Sequence, residues 1–325
     1  MYNSNLQGYK QAIDTLTGID KRVVEQKFYD VNIPDFVDVE TGNNAWSDQI
    51  FTYESFEDAG DGMEGFQVET SNDSRMPAVD VGYNGKVDMR KMWNKKVSYK
   101  LLDLKQLEQI IRSGQKNFSI IEDKLVARKR NFDQMLQKVA FLGNSVFKDI
   151  TGLLNNPNIT VDATTFTTSL GELQDTALKK IVATMTGKFT LQANYTAQPN
   201  RLLLPYSIYN SLSQFNSIQF PMMSLLELLE DNFKKSTGNQ DFKILWSPYC
   251  EAEKNGTGND IYVLYRKDPD VLVLDIPVEY NTTAFNTIDN YTFYNVGYGQ
   301  VGGVRVFRPQ EILYFSAPKS TQLVY

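Results

Sequence analysis

Residues 119–142 limit the possible folds of this chain more than any other stretch. Ile121, Leu125, Phe132, Met135, Leu136, Val139 and Leu142 recur at spacings of three, four and seven, which draws one apolar stripe along a helix. Ser119 followed by Glu122 is the pattern of a capping box, so the helix has a defined start. Gly143 supplies the left-handed residue that ends it. At 1.5 Å per residue the rod is roughly 36 Å long, and a helix of that length organises the domain around it. A basic cluster, Arg128, Lys129 and Arg130, interrupts the stripe, and the loop Thr151-Gly152-Leu153-Leu154-Asn155-Asn156-Pro157 follows its end.

Composition then removes whole classes of chemistry. The chain contains no histidine, so Ser-His-Asp, Cys-His and His-zinc sites are excluded, together with the usual proton shuttle near neutral pH. The single cysteine, Cys250, cannot form an intrachain disulfide and reads as a small packing residue. A net charge of -6 rules out coating a polyanion by bulk electrostatics, so any nucleic-acid contact must be local. No run of apolar residues is long enough to span a membrane, and the N-terminus has no secretory pattern, which reads as a soluble intracellular product. With 325 residues there is room for two subdomains.

Several textures follow one another along the chain. Residues 1–48 show little periodicity and read as an arm. Residues 49–100 hold two alternating runs, 50–56 and 87–99, around a Gly- and Asp-rich middle, which predicts a long two-stranded hairpin. Its charges are segregated: Glu54, Glu57, Asp58, Asp61 and Glu64 lie on the outgoing side, and Lys86, Arg90, Lys91, Lys95 and Lys96 on the return. Either the two arms neutralise each other across the hairpin, or they reach neighbouring subunits.

Short helices are expected over 103–113 and 206–215. An amphipathic helix from a second capping box, Ser169 and Glu172, should end at Gly187, and a further helix should cover 223–235. Apolar runs at 201–204, 242–246, 261–265 and 271–274 read as buried strands, which makes 166–284 one mixed subdomain. Strands at 291–296, 303–307 and 312–315 should pack under the long helix.

No site for chemistry emerges. Gly297-Tyr298-Gly299-Gln300-Val301-Gly302 has the spacing of a dinucleotide fingerprint, but the β-branched run after it, stopped by Pro309, denies the helix that the motif needs. It reads as a glycine-rich turn. No catalytic, cofactor or metal residues are predicted. For Arg128, Lys129 and Arg130, two readings stay open: surface pairing with Glu122 and Asp123, or contact with phosphates.

The sequence resembles the tailed-bacteriophage major capsid proteins of the Hong Kong 97 type, a fold shared with encapsulin shells. The resemblance rests on Phe141-Leu142-Gly143-Asn144 with Thr151-Gly152-Leu153-Leu154-Asn155, on Leu202-Leu203-Leu204-Pro205 before a Tyr-containing helix, and on Val301-Gly302-Gly303-Val304-Arg305-Val306-Phe307-Arg308-Pro309 near the end. It implies an α+β fold with an N-terminal arm (1–48), an extended hairpin loop (49–100), a peripheral domain (101–165 and 285–325) with a spine helix at 119–142, and an axial domain (166–284). The implied function is the icosahedral or prolate shell around packaged double-stranded DNA, built from hexamers and pentamers. Portal, scaffold or decoration proteins are the implied partners, assembly is in the host cytoplasm, and neither a cofactor nor a membrane is involved. Many relatives carry a long cleaved N-terminal scaffolding segment for which this sequence shows no room, so a separate scaffold, or none, is expected. The alternatives are an encapsulin-like nanocompartment shell holding protein cargo, a tail or fibre component, and a soluble enzyme.

Overall fold

The computed structural model describes residues 29–57, 81–112, 120–287, 289 and 291–319. The expected cap at Ser119 and the acidic residues Asp58, Asp61 and Glu64 lie outside that set. In chain order come β1 (Asp38–Thr41), β2 (Gln49–Glu57), β3 (Val81–Met89), β4 (Lys91–Lys100), α1 (Leu101–Arg112) and α2 (Ile120–Leu142). Then follow β5 (Thr160–Asp162), α3 (Asp175–Gln192), β6 (Arg201–Leu204), α4 (Tyr206–Gln214), α5 (Leu225–Thr237), β7 (Lys243–Trp246) and α6 (Ala252–Asn255). The remainder is β8 (Asp260–Tyr265), β9 (Leu272–Ile276), β10 (Val278–Thr282), β11 (Asn286–Thr287), β12 (Thr292–Val301), β13 (Gly303–Val306) and β14 (Ile312–Ala317).

The central sheet has the order β5-β14-β8-β6-β7. Its inner strands β14, β8 and β6 are nearly continuous apolar runs because both faces are covered, and successive side chains alternate between two cores. Leu202, Leu204, Tyr262, Leu264, Leu313 and Phe315 point into one core with α3, α4 and α5. Leu203, Val263, Tyr265, Ile312 and Tyr314 point into the other, with the arm residues Phe36 and Val37 and the end of α2. The sheet therefore mixes two expected subdomains: β14, assigned to the peripheral part, pairs with β8 across Ile312 to Ala317. A boundary at 284 does not coincide with sheet membership. Ile312 and Tyr314 of β14 nonetheless share a core with Ala140 and Phe141 at the end of the long helix, as expected of a strand that packs under it.

A second correction concerns the hairpin. β2 pairs with β3, with Gln49 opposite Met89 and Glu57 opposite Val81. β4 leaves that ribbon and pairs along all of β12, with Lys91 opposite Val301 and Lys100 opposite Thr292. The chain switches sheets at Arg90, which is wholly buried and interrupts the strand. In the register of the ribbon Glu54 stands opposite Asn84 and Glu57 opposite Val81.

The long helix runs Ile120–Leu142 as expected, and Gly143 ends it at φ 67°. Its C-terminal half is a wedge between two cores: Phe132 and Val139 enter a small cluster with Ile150 and Val301, while Ala140 and Phe141 enter the core beneath the central sheet. The glycines expected to make a turn at 297–302 instead lie mostly within β12. A Cβ at Gly297 would meet Arg128 Nε at 2.7 Å, and one at Gly299 would meet Phe132 Cε2 at 2.7 Å. They are glycines so that the helix can lie close to the strand.

The other departures are local. Ser169 makes no capping bond, and α3 starts at Asp175 and runs through Gly187 to Gln192. A complete capping box occurs instead at Ser224 and Glu227, at the start of α5. Ser224→Ala should cost about 1 kcal/mol, read as a small fall in the midpoint of urea unfolding.

Candidate assembly surface

Three polar nodes fix the parts of the molecule that extend beyond the two cores. The first is the root of the β2–β3 ribbon. Arg90 donates from Nε to Asp275 Oδ2 at 2.6 Å and from Nη2 to Asp275 Oδ1 at 2.9 Å, and its Nη1 donates to the Asn44 carbonyl and to Ser47 Oγ, both at 2.9 Å. One guanidinium therefore joins β9, the arm and the ribbon. Gly302 makes room for the pair, since a Cβ there would lie 2.3 Å from Asp275 Oδ2. Burial pushes the Asp275 carboxyl up from its ordinary value and Arg90 draws it back only in part. Arg90, expected to touch a neighbouring subunit, is thus committed within its own protomer.

The second node is Arg305 on β13. It donates to Asp88 Oδ2 and Glu40 Oε2 at 3.3 Å each and to Thr52 Oγ1 at 2.7 Å. Lys86 donates to the Val306 carbonyl at 2.9 Å. Both arms of the ribbon and β1 are thereby held against the body. The arm is pinned further by Lys267 to Asp38 at 2.9 Å and by Tyr265, whose hydroxyl donates to the Phe36 carbonyl.

The third node corrects the basic cluster on α2. Arg128 is only 3% exposed. It donates from Nε to the Tyr280 hydroxyl at 2.8 Å and from Nη1 to Asn295 Oδ1 at 2.7 Å, in the gap left by Gly297. It holds the helix to β12 and β10 and cannot face a lumen or DNA. Lys129 is exposed, while Arg130 is half-buried and engaged within the chain. Nothing in the sequence pattern separated Arg128 from its neighbours except its spacing of four from Phe132, which puts both on the buried face.

The lysines of β4 have intrachain contacts too. Lys91 lies 5.5 Å from the centre of the Phe147 ring, Lys95 donates to Asn131 Oδ1 at 3.0 Å, and Lys96 lies 4.4 Å over Tyr294. Among the described residues no group of acidic, histidine or cysteine side chains is placed to hold a metal, and no helix is long and apolar enough to cross a membrane. Cys250 is buried and its thiol is pushed well up by desolvation, so it packs and does not react.

An α+β body with a pinned arm, a projecting ribbon and a helix braced against β12 is the build of a shell subunit of the Hong Kong 97 type. The chain belongs to the major capsid protein family, whose profile matches residues 67–317. It is a shell-forming protein. In fold it is similar to the capsid of Myoviridae phage XM1, with a TM-score of 0.75 at 15% identity over 94% of this chain and 97% of that one. A chain of Mycobacterium phage Bobi gives 0.58 at 7% identity, covering 96% and 99%. The virus-like particle from Pyrococcus furiosus gives 0.50 at 12% identity, covering 88% and 92%. No curated protein matches the sequence.

Proposed function

We propose that this chain forms the closed head of a double-stranded DNA phage, arranged in hexamers and pentamers and assembled in the host cytoplasm around a separate scaffold or none. Portal and decoration proteins are its other partners. Residues 29–48 act as the arm and 49–89 as the extended loop. The central sheet with α3, α4 and α5 is the axial part, and α2 with β4, β10, β11 and β12 the peripheral part.

The observation that carries this reading is the β2–β3 ribbon. It has nine residues in each arm, about 30 Å at 3.3 Å per residue, and it is fastened at its root by Arg90, Arg305 and Lys86. A two-stranded ribbon is marginal in water on its own, so a ribbon anchored this firmly serves to lie on another subunit. DNA contact is weak and local, and Lys129 is the exposed member of the basic cluster left for it. The fold serves as scaffold rather than as a catalyst.

Electron microscopy of the expressed protein tests the proposal. Closed shells are the expected result; a monomer at all concentrations, or open tubes, would overturn it. Shells that retain protein cargo and no DNA in infected cells would move the assignment to a nanocompartment.

A further inference from the structure

The sheet built on β12 has two faces of different character. Gly297 and Gly299 look toward α2, where an added Cβ would meet Arg128 or Phe132, so Tyr294, Val296 and Tyr298 point away from the helix. On that far face Tyr298 stands opposite Asn94 of β4 and opposite Asn281 of β10, so two exposed amides flank one phenol ring. Lys96, opposite Val296, projects from the same face and lies over Tyr294. Among the described residues the Asn94 side chain makes no hydrogen bond and Lys96 no ion pair. Trp46 completes the row. Its indole is 63% exposed, and its ring centre lies 5.9 Å from that of Tyr298 at a tilt of 42°.

The backbone holds that indole out at a cost. Trp46 has φ 72° and Asn44 φ 45°, conformations that are strained for a bulky side chain and persist only where the surroundings impose them. Buried polar groups impose them here. Gln300, 1% exposed, accepts from the Trp46 N–H at 2.9 Å and donates to the Ser47 carbonyl at 2.7 Å, while the buried Arg90 holds the Asn44 carbonyl and Ser47 Oγ. A ring fixed in water by two buried side chains is preorganised for a ligand. The row sets three demands on that ligand: an apolar flat face for the indole and phenol, hydroxyls for amides that both donate and accept, and a negative charge for Lys96. Duplex DNA fails the first, because its bases are stacked inside the helix and offer no free face. A pyranose ring meets the first two with its C–H face and its rim of hydroxyls, and a uronic acid adds the carboxylate. We propose that this face binds an acidic polysaccharide, with one pyranose on Trp46 and Tyr298, its hydroxyls on Asn94 and Asn281, and a carboxylate on Lys96.

The test uses the full chain as purified, assembled or not, against polygalacturonate fixed on a biosensor surface, with neutral dextran and polyglutamate on parallel surfaces. Wild type should bind polygalacturonate about tenfold more tightly than either control. Trp46→Ala and Asn94→Ala should each weaken that binding about tenfold, with the urea midpoint unchanged because both side chains are exposed. Trp46→Gly adopts the same φ without strain and serves where the alanine variant fails to fold. Trp46→Phe, which keeps a ring, should retain most of the affinity. Equal binding to polyglutamate would reduce the site to charge alone, and equal binding to dextran would remove the part given to Lys96; either result overturns the proposal. So would wild-type protein that ignores polygalacturonate, or a folded Trp46→Gly variant that binds it as wild type does. None of these outcomes touches the shell reading, which particle formation tests separately.

Discussion

Arg90→Ala is expected to destabilise the protomer by about 3–5 kcal/mol, the usual cost of leaving one member of a buried ion pair without the other. Both side chains are at most 1% exposed, so water cannot replace the lost guanidinium. The loss also frees the Asn44 carbonyl and Ser47 Oγ, so the arm and the ribbon root loosen together. Stability by urea unfolding and protease sensitivity of the ribbon should change in step.

The pH dependence gives a sharper check. Asp275 is raised in the folded state, so between the unfolded carboxylate value of about 3.9 and the raised folded value the native protein holds a proton that the unfolded chain has released. Stability therefore declines with rising pH across that window. Removing Arg90 leaves desolvation unopposed and lifts the upper end of the window. The deficit of the variant against wild type should accordingly grow as pH rises above the wild-type folded value. A deficit that is small, or that shrinks with pH, would show that the pair is not what holds the ribbon root.

Local signals gave the elements, and long-range pairing decided what they form. β6 matches its expected range of 201–204 because three consecutive leucines and Pro205 leave a strand covered on both faces little alternative. The long helix was legible for the same kind of reason. The hairpin was misread because the alternation over 87–99 is continuous in sequence and carries no mark that one residue within it changes sheets. Arg90 in that run looks like another surface cation, and only Asp275, 185 residues away, makes it a buried one. Arg128 misled in the same way, since its partners Tyr280 and Asn295 arrive from the far end of the chain. The glycines of 297–302 carried a usable signal: glycine at alternate positions of a β-branched strand marks close approach by another element more readily than it marks a turn.

Gly152→Ala should be among the most damaging small substitutions at the described residues, and the reason lies in the loop that follows α2. A helix leaves its last carbonyls without partners, and here the loop turns back to supply them. Leu153 N–H donates to the Ala140 carbonyl at 2.8 Å, Leu154 N–H to Phe141 at 2.9 Å, and the Asn155 amide to Leu142 at 2.6 Å. Asn155 Oδ1 in turn accepts from Gly152 N–H at 2.7 Å. The return places Gly152 directly against the helix end: an added Cβ would lie 2.4 Å from Gly143 N and 2.6 Å from both the carbonyl carbon and the oxygen of Phe141. All three atoms are backbone, so no side chain can rotate away, and the helix cap and loop must separate. Leu153 and Leu154 are buried in the core beneath the central sheet, and the Tyr314 hydroxyl donates to the Leu153 carbonyl, so separation also pulls on β14. The cost should exceed about 3 kcal/mol, beyond the usual range for overpacking, and unfolding of the monomer by urea would measure it. Asn155→Ala, which removes the bridging bonds without adding an atom, should cost only about 1–2 kcal/mol. A Gly152→Ala protein as stable as wild type would mean that the loop does not close the helix end as described.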